Sequence, residues 1–202
     1  PIYERSWMHA VSPDEQFLAV VTVKFHDGRY VEQFEMIIWD LKRQKEVSRH
    51  ACQRVYTSIV FLPDGATAAY GNSDGVVLFE LLSGRTLRFL PVAAITEFAI
   101  SPDSRELATV SDDRMLRIWR IEDGVELHCI QAHGVSAKSV AYTPDGRTLG
   151  TVGLDGLLRC WRRDAMQLTM EISFSTPPIT LEFSPDGKKA AILDGQGRAY
   201  LL

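Results

Sequence analysis

Short runs of alternating apolar and polar residues cover most of this chain, and they come in sets of four. Thr96 to Ile100 alternates and ends at Ser101-Pro102-Asp103, Glu106 to Val110 follows, and Ser111-Asp112-Asp113-Arg114 makes a tight turn into Met115 to Trp119. Val125 to Ile130 completes the set. The next stretch runs in parallel: Ser139 to Tyr142, Thr148 to Val152, the turn Leu154-Asp155-Gly156, Leu157 to Trp161, then Gln167 to Ile172. Period-two alternation places side chains on opposite faces of an extended strand. Strands this short, joined by Asp- and Gly-containing turns, predict an up-and-down antiparallel meander.

The set recurs along the whole chain. Ser12-Pro13-Asp14, Leu62-Pro63-Asp64, Ser101-Pro102-Asp103, Thr143-Pro144-Asp145 and Ser184-Pro185-Asp186 each sit between two apolar alternations, and their prolines are 50, 39, 42 and 41 residues apart. Five repeats follow, over approximately 6–54, 55–92, 93–134, 135–176 and 177–202. A sheet of four strands cannot cover both of its faces, so a period of about 40 residues implies sheets stacked face to face around a ring. A β-sandwich has turns every 8–12 residues but no reason for the longer period. The expected fold is all-β, a β-propeller with four-stranded blades.

Leu107-Ala108-Thr109-Val110-Ser111-Asp112-Asp113-Arg114-Met115-Leu116-Arg117-Ile118-Trp119 resembles the core of a WD repeat, as does Leu149 to Trp161. In both, a turn aspartate precedes a strand tryptophan by six residues. Trp39-Asp40 supplies the literal dipeptide in the first repeat, and Asp194 with Tyr200 keeps the spacing in the fifth. The resemblance to the WD-repeat (WD40) β-propeller family extends over essentially the whole chain. It implies a buried hydrogen-bonded tetrad in a blade, which maps completely only onto His133, Thr151, Asp155 and Trp161. The third repeat has Thr109, Asp113 and Trp119 but no matching histidine, and the second has Phe79 at the tryptophan position, five residues after Asp74. Where the tetrad is incomplete, aromatic packing is expected to hold the blade.

Rings of this family commonly have seven blades, so five repeats point to a piece of a larger ring or protein. A closed five-bladed ring and completion by self-association stay open. Ile2-Tyr3-Glu4 is a candidate for the outer strand that the fifth repeat lacks.

Composition narrows the role more than the fold. With 46% hydrophobic and 24% charged residues, the 202-residue chain reads as an ordinary globular protein. A net charge of −4 argues against a nucleic-acid partner, which calls for a basic face. No run approaches the roughly 18 apolar residues of a membrane helix, and the opening residues show no leader pattern. Cys52, Cys129 and Cys160 are widely separated and odd in number, which favours buried, reduced thiols and a cytoplasmic setting.

No nucleophile, metal-binding or phosphate-cradling motif stands out, so neither a cofactor nor a metal is expected. Gly195-Gln196-Gly197 reads as a hairpin turn. Glu97 and Glu182 are expected as solvated channel-wall carboxylates, with a metal-dependent propeller hydrolase as the competing reading. His9 is expected as a satisfied core histidine. The basic run Lys42-Arg43-Gln44-Lys45 is interrupted by Asp40 and Glu46 and reads as a solvated face. The first repeat carries an extended segment from Lys24 to Glu35 with an Asp27-Gly28 turn signal, which predicts a lengthened ribbon. In WD propellers such a ribbon shares a rim with the loops between blades. Arg29, Tyr30, Arg54, Tyr56 and Arg114 are therefore the expected partner-binding residues, since Tyr and Arg anchor interfaces. The resulting expectation is a non-catalytic scaffold for a protein or peptide partner, without nucleic-acid or membrane binding.

Overall fold

A computed structural model describes the backbone of residues 2–26 and 29–202 and the side chains of residues 8–24 and 33–202. All regular structure among the described residues is strand. The first sheet contains β1 (Ile2–Val11), β2 (Phe17–His26), β3 (Arg29–Asp40) and β4 (Lys45–Cys52). The second contains β5 (Ile59–Phe61), β6 (Thr67–Gly71), β7 (Gly75–Glu80) and β8 (Thr86–Pro91). The third contains β9 (Ile95–Ile100), β10 (Glu106–Ser111), β11 (Met115–Arg120) and β12 (Glu126–Gln131). The fourth contains β13 (Ala137–Tyr142), β14 (Thr148–Gly153), β15 (Leu157–Arg162) and β16 (Gln167–Ser173), and the fifth β17 (Pro178–Phe183), β18 (Ala190–Asp194) and β19 (Ala199–Leu201). Every sheet is an antiparallel meander in chain order, the blade of the expected propeller type. The chain divides into two compact units, Pro1–Pro91 with the first two sheets and Val92–Leu202 with the other three.

The turn between the first two strands of a sheet is nearly the same five times. In four of them the hydroxyl of Ser12, Ser101, Thr143 or Ser184 donates to the aspartate two residues on at 2.6 Å. The same hydroxyl accepts the backbone N–H five residues on, as Phe17 does to Ser12 at 2.8 Å and Glu106 to Ser101 at 2.9 Å. Leu62 has no hydroxyl, so Asp64 accepts both Ala66 and Thr67 N–H directly, at 2.9 and 2.8 Å. One residue after each aspartate is left-handed: Glu15, Gly65, Ser104, Gly146 and Gly187 have φ of 56°, 64°, 57°, 67° and 68°. Proline presets the backbone for such a turn and aspartate captures its free N–H groups, which is why the tripeptide recurs.

Neighbouring sheets within each unit bury their faces against one another. Val21, Val23, Met36 and Ile38 of the first sheet share a core with Ile59, Ala68 and Phe79 of the second. Ala108, Val110 and Ile118 of the third pack with Val140, Leu149 and Trp161 of the fourth. Val152, Leu158 and Cys160 in turn meet Leu181, Ala190 and Ile192 of the fifth.

Several expectations need correcting. Ile2, Tyr3 and Glu4 pair with His26, Phe25 and Lys24, so they extend the first sheet and do not complete the fifth. The long ladder of the first sheet continues to His26 opposite Arg29, while the Asp27-Gly28 turn lies outside the described residues. His9 is exposed, because Met8 and Ala10 take the core-facing positions on either side of it. Of the three thiols only Cys160 is buried; Cys52 is half-buried and Cys129 exposed. Burial, reinforced by the Glu35 carboxylate, pushes the Cys52 thiol up to about 12.

Close approach of the fourth and fifth sheets depends on Gly150. A Cβ there would lie 2.5 Å from Leu181 Cδ2 and 3.0 Å from Phe183 Cζ. Gly150→Val is expected to destabilise the fold by about 1–3 kcal/mol through overpacking, read from urea unfolding.

Candidate functional site

Rigid strand ends are needed before loops can present anything, and in the fourth sheet a buried polar chain supplies that rigidity. Trp161 Nε1 donates to Thr151 Oγ1 at 3.0 Å. Thr151 Oγ1 lies 3.0 Å from His133 Nε2, and His133 Nδ1 lies 2.9 Å from Asp155 Oδ1. One proton arrangement satisfies every member: indole to hydroxyl, hydroxyl to Nε2, and Nδ1–H to carboxylate, with a neutral imidazole. Burial holds His133 below the ordinary histidine value, although Asp155 pulls the other way. Asp155 Oδ2 also accepts Gly134 N–H at 2.9 Å, tying the loop before β13 to the turn after β14.

The other sheets replace the chain in different ways. In the third, Trp119 Nε1 donates to Thr109 Oγ1 at 3.1 Å and no histidine follows. In the second, Tyr70 and Phe79 occupy the Thr and Trp places, their rings 5.7 Å apart. Asn72 takes over the aspartate's capping there, accepting Asp74 and Gly75 N–H at 2.8 and 3.0 Å. In the fifth the six-residue spacing misleads. Tyr200 pairs with Ile192, two positions nearer the turn than the tryptophan place, which falls to Leu202 opposite Ala190. Its hydroxyl still reaches Asp194 Oδ2 at 3.1 Å.

The expected partner-binding residues divide. Arg54 and Tyr56 lie together on the connection from the first to the second sheet, with the guanidinium carbon 5.1 Å from the ring centroid. Tyr56 is 52% exposed. Both line a hollow of about 370 Å³ with Gln53, Ser73 and Asp74. A second hollow of about 620 Å³ shares Cys52, Gln53 and Asp74 with it and adds Asn72 and the exposed Phe89. Asn72 Nδ2 donates to Gln53 Oε1, which fixes two amide groups at the junction of the hollows. Arg114 belongs to the other compact unit, in the turn after β10, with a left-handed φ of 76°. Its carbonyl accepts Ala132 and His133 N–H at 3.0 and 3.2 Å. The side chains of Arg29 and Tyr30 lie outside the described residues.

Residue chemistry elsewhere is sparse. Glu97 is half-buried and Glu182 exposed, and among the described residues no three His, Cys, Asp or Glu side chains gather in a metal-holding group. Arg43 of the basic run is paired with Asp40, and Arg49, further along on β4, with Glu35 and Glu46. One feature escaped the sequence reading. A hollow of about 530 Å³ between the third and fourth sheets is lined by Glu106, His128, Gly146, Arg147, Arg162, Arg163 and Asp164. Its linear traces are Gly146-Arg147 and Arg162-Arg163-Asp164; Glu106 and His128 come from separate strands.

Comparison with known proteins agrees with the blades. Residues 84–120 and 124–162 match the WD domain, G-beta repeat family. Each matched span begins one strand before a sheet, with β8 and β12, because the family's repeat is out of phase with the blade. The WD repeat-containing protein SL1-17 of Schistosoma mansoni is 30% identical over 121 residues, covering 59% of this chain. The chain spans 38% of that relative's length.

The buried polar chain generates two expectations. Trp161→Phe, which removes the indole donor and part of the ring volume from a buried site, is expected to cost about 1–3 kcal/mol in chemical unfolding. The folded His133 resists protonation, so the unfolded chain binds more protons below about pH 6.5 and stability falls as the pH drops through that value. His133→Gln should flatten this part of the stability profile. At lower pH a further loss is expected from Asp103, where burial is outweighed by hydrogen bonds from Ser101 and Arg163 that hold the carboxyl at about 2.

Proposed function

We propose that this chain, which carries WD repeats, acts as a non-catalytic scaffold that holds a peptide segment of a partner protein at the Arg54–Tyr56 hollow. WD repeats generally serve as protein-interaction scaffolds and are typically non-enzymatic. The observation that carries the reading is the pairing of an exposed tyrosine and an arginine beside a hollow that also contains Gln53, whose amide is held by Asn72. Stacking of the guanidinium on the ring restricts both side chains before a partner arrives, which lowers the ordering cost of association. Exposed Phe89 and Gln53 offer an apolar contact and an amide group in the adjoining hollow, the mixture that suits an extended peptide. Presentation on short turns of a stiff sheet is the mechanism.

The test is affinity capture from lysate of the native host, comparing the parent chain with Tyr56→Ala and Arg54→Ala. Both variants should keep the parent's unfolding midpoint, because Tyr56 is half-exposed and Arg54 is exposed. A partner held by the parent is expected to bind each variant about tenfold or more weakly, as loss of an interface anchor predicts. Undiminished retention of every captured protein by both variants would refute this placement of the site.

A further inference from the structure

We propose that the hollow between the third and fourth sheets binds a phosphorylated side chain within a peptide that carries a basic residue next to it. This site is separate from the Arg54–Tyr56 surface and does not depend on that reading. Arg163 is the fixed part of its wall. Its Nε donates to Glu106 at 2.8 Å, both terminal nitrogens approach Asp103 Oδ2 at 3.2 Å, and its guanidinium lies 5.7 Å from the Tyr142 ring centroid. With two carboxylates already on it, Arg163 anchors the two sheets and is not an available donor.

The available donors are its neighbours. Arg162 uses Nε on Asp164 at 2.9 Å, and its terminal nitrogens have no partner among the described residues. Arg147 is exposed, and its guanidinium forms no ion pair or hydrogen bond among the described residues. His128 on β12 adds an exposed imidazole at the same hollow. Two guanidinium groups, one from the turn before β14 and one from the end of β15, exceed what the two oxygens of one carboxylate require, whereas a phosphomonoester has three acceptor oxygens and a charge near −2. The volume of about 530 Å³ exceeds that of a lone phosphate and admits its flanking residues.

The acidic residues around the hollow select among phosphates. Glu106 and Asp164 line it and Asp145 sits in the adjoining turn, on a chain of net charge −4. A polyanionic membrane surface would bring further negative charge against them. A peptide with one phosphate and a neighbouring lysine or arginine would instead place the cation against Asp164, whose side chain is 76% exposed.

The experiment is fluorescence polarisation with the full chain. The probes are a panel of peptides carrying phosphoserine, phosphothreonine or phosphotyrosine with basic or neutral flanks, the same peptides unphosphorylated, and vesicles containing a phosphoinositide. A phosphopeptide with a basic flank should bind at least about tenfold more tightly than its unphosphorylated form. Arg147→Ala and Arg162→Ala should each remove most of that difference while leaving the unfolding midpoint unchanged. Phosphorylation-independent binding, binding indifferent to both substitutions, binding to vesicles alone, or no binding across the panel would each overturn the proposal.

Discussion

The middle strands β7, β10 and β14 are buried on both faces, and a four-stranded sheet can cover neither face alone. In β7, β10 and β14 five of six residues are buried, a near-continuous run in place of the clean alternation of a sheet with one wet side. Such strands need another sheet against them, and the shared cores within the two units supply one such neighbour for β7 and β10 and two for β14. Burial at about 25 cal/mol per Å² of apolar area is the main favourable term. The turns, the polar chain and the surface hollows all presuppose it, since each is built from strand ends that only the stacked sheets hold in place.

Polar groups drawn into that interior must find partners, and the chain solves this differently in successive sheets. The fourth uses an unbroken indole–hydroxyl–imidazole–carboxylate chain. The third stops at the hydroxyl, and the second removes the problem by placing Tyr70 against Phe79. These solutions are interchangeable because what the site requires is a filled volume without an orphaned donor. Blade stiffness can therefore be kept while the loops diverge, and divergence of loops on a constant scaffold is how a repeat fold acquires particular partners.

The two surfaces singled out differ in character. The Arg54–Tyr56 hollow combines an aromatic ring, a stacked cation and the fixed amide of Gln53, a surface suited to the side chains and backbone of an extended peptide. The hollow between the third and fourth sheets is a charged site in which one arginine is immobilised by carboxylates and two others remain available. Within the second unit, Arg163 serves both stability and shape: it joins Glu106 and Asp103 of the third sheet from a turn of the fourth, and so forms the wall.

Much of the fold was legible in the linear pattern because its causes are local. Proline, a hydroxyl and an aspartate within three residues specify the same turn wherever they occur, and alternation specifies strands on either side. Spacing was a weaker guide wherever pairing register intervened. Asp194 and Tyr200 stand six apart like Asp155 and Trp161, yet the ladder puts Tyr200 two positions nearer the turn. His9 aligns with core residues of other repeats but faces outward, and Ile2 to Glu4 pair within their own sheet. The sequence by itself thus determined the number, type and turn chemistry of the blades, along with the Arg54–Tyr56 pair, whose members are two residues apart. Only tertiary structure decided the basic hollow, because Arg163 meets Asp103 and Glu106 across 60 and 57 residues of chain. Contacts at that separation are set by how one sheet packs on the next, and no local pattern records it.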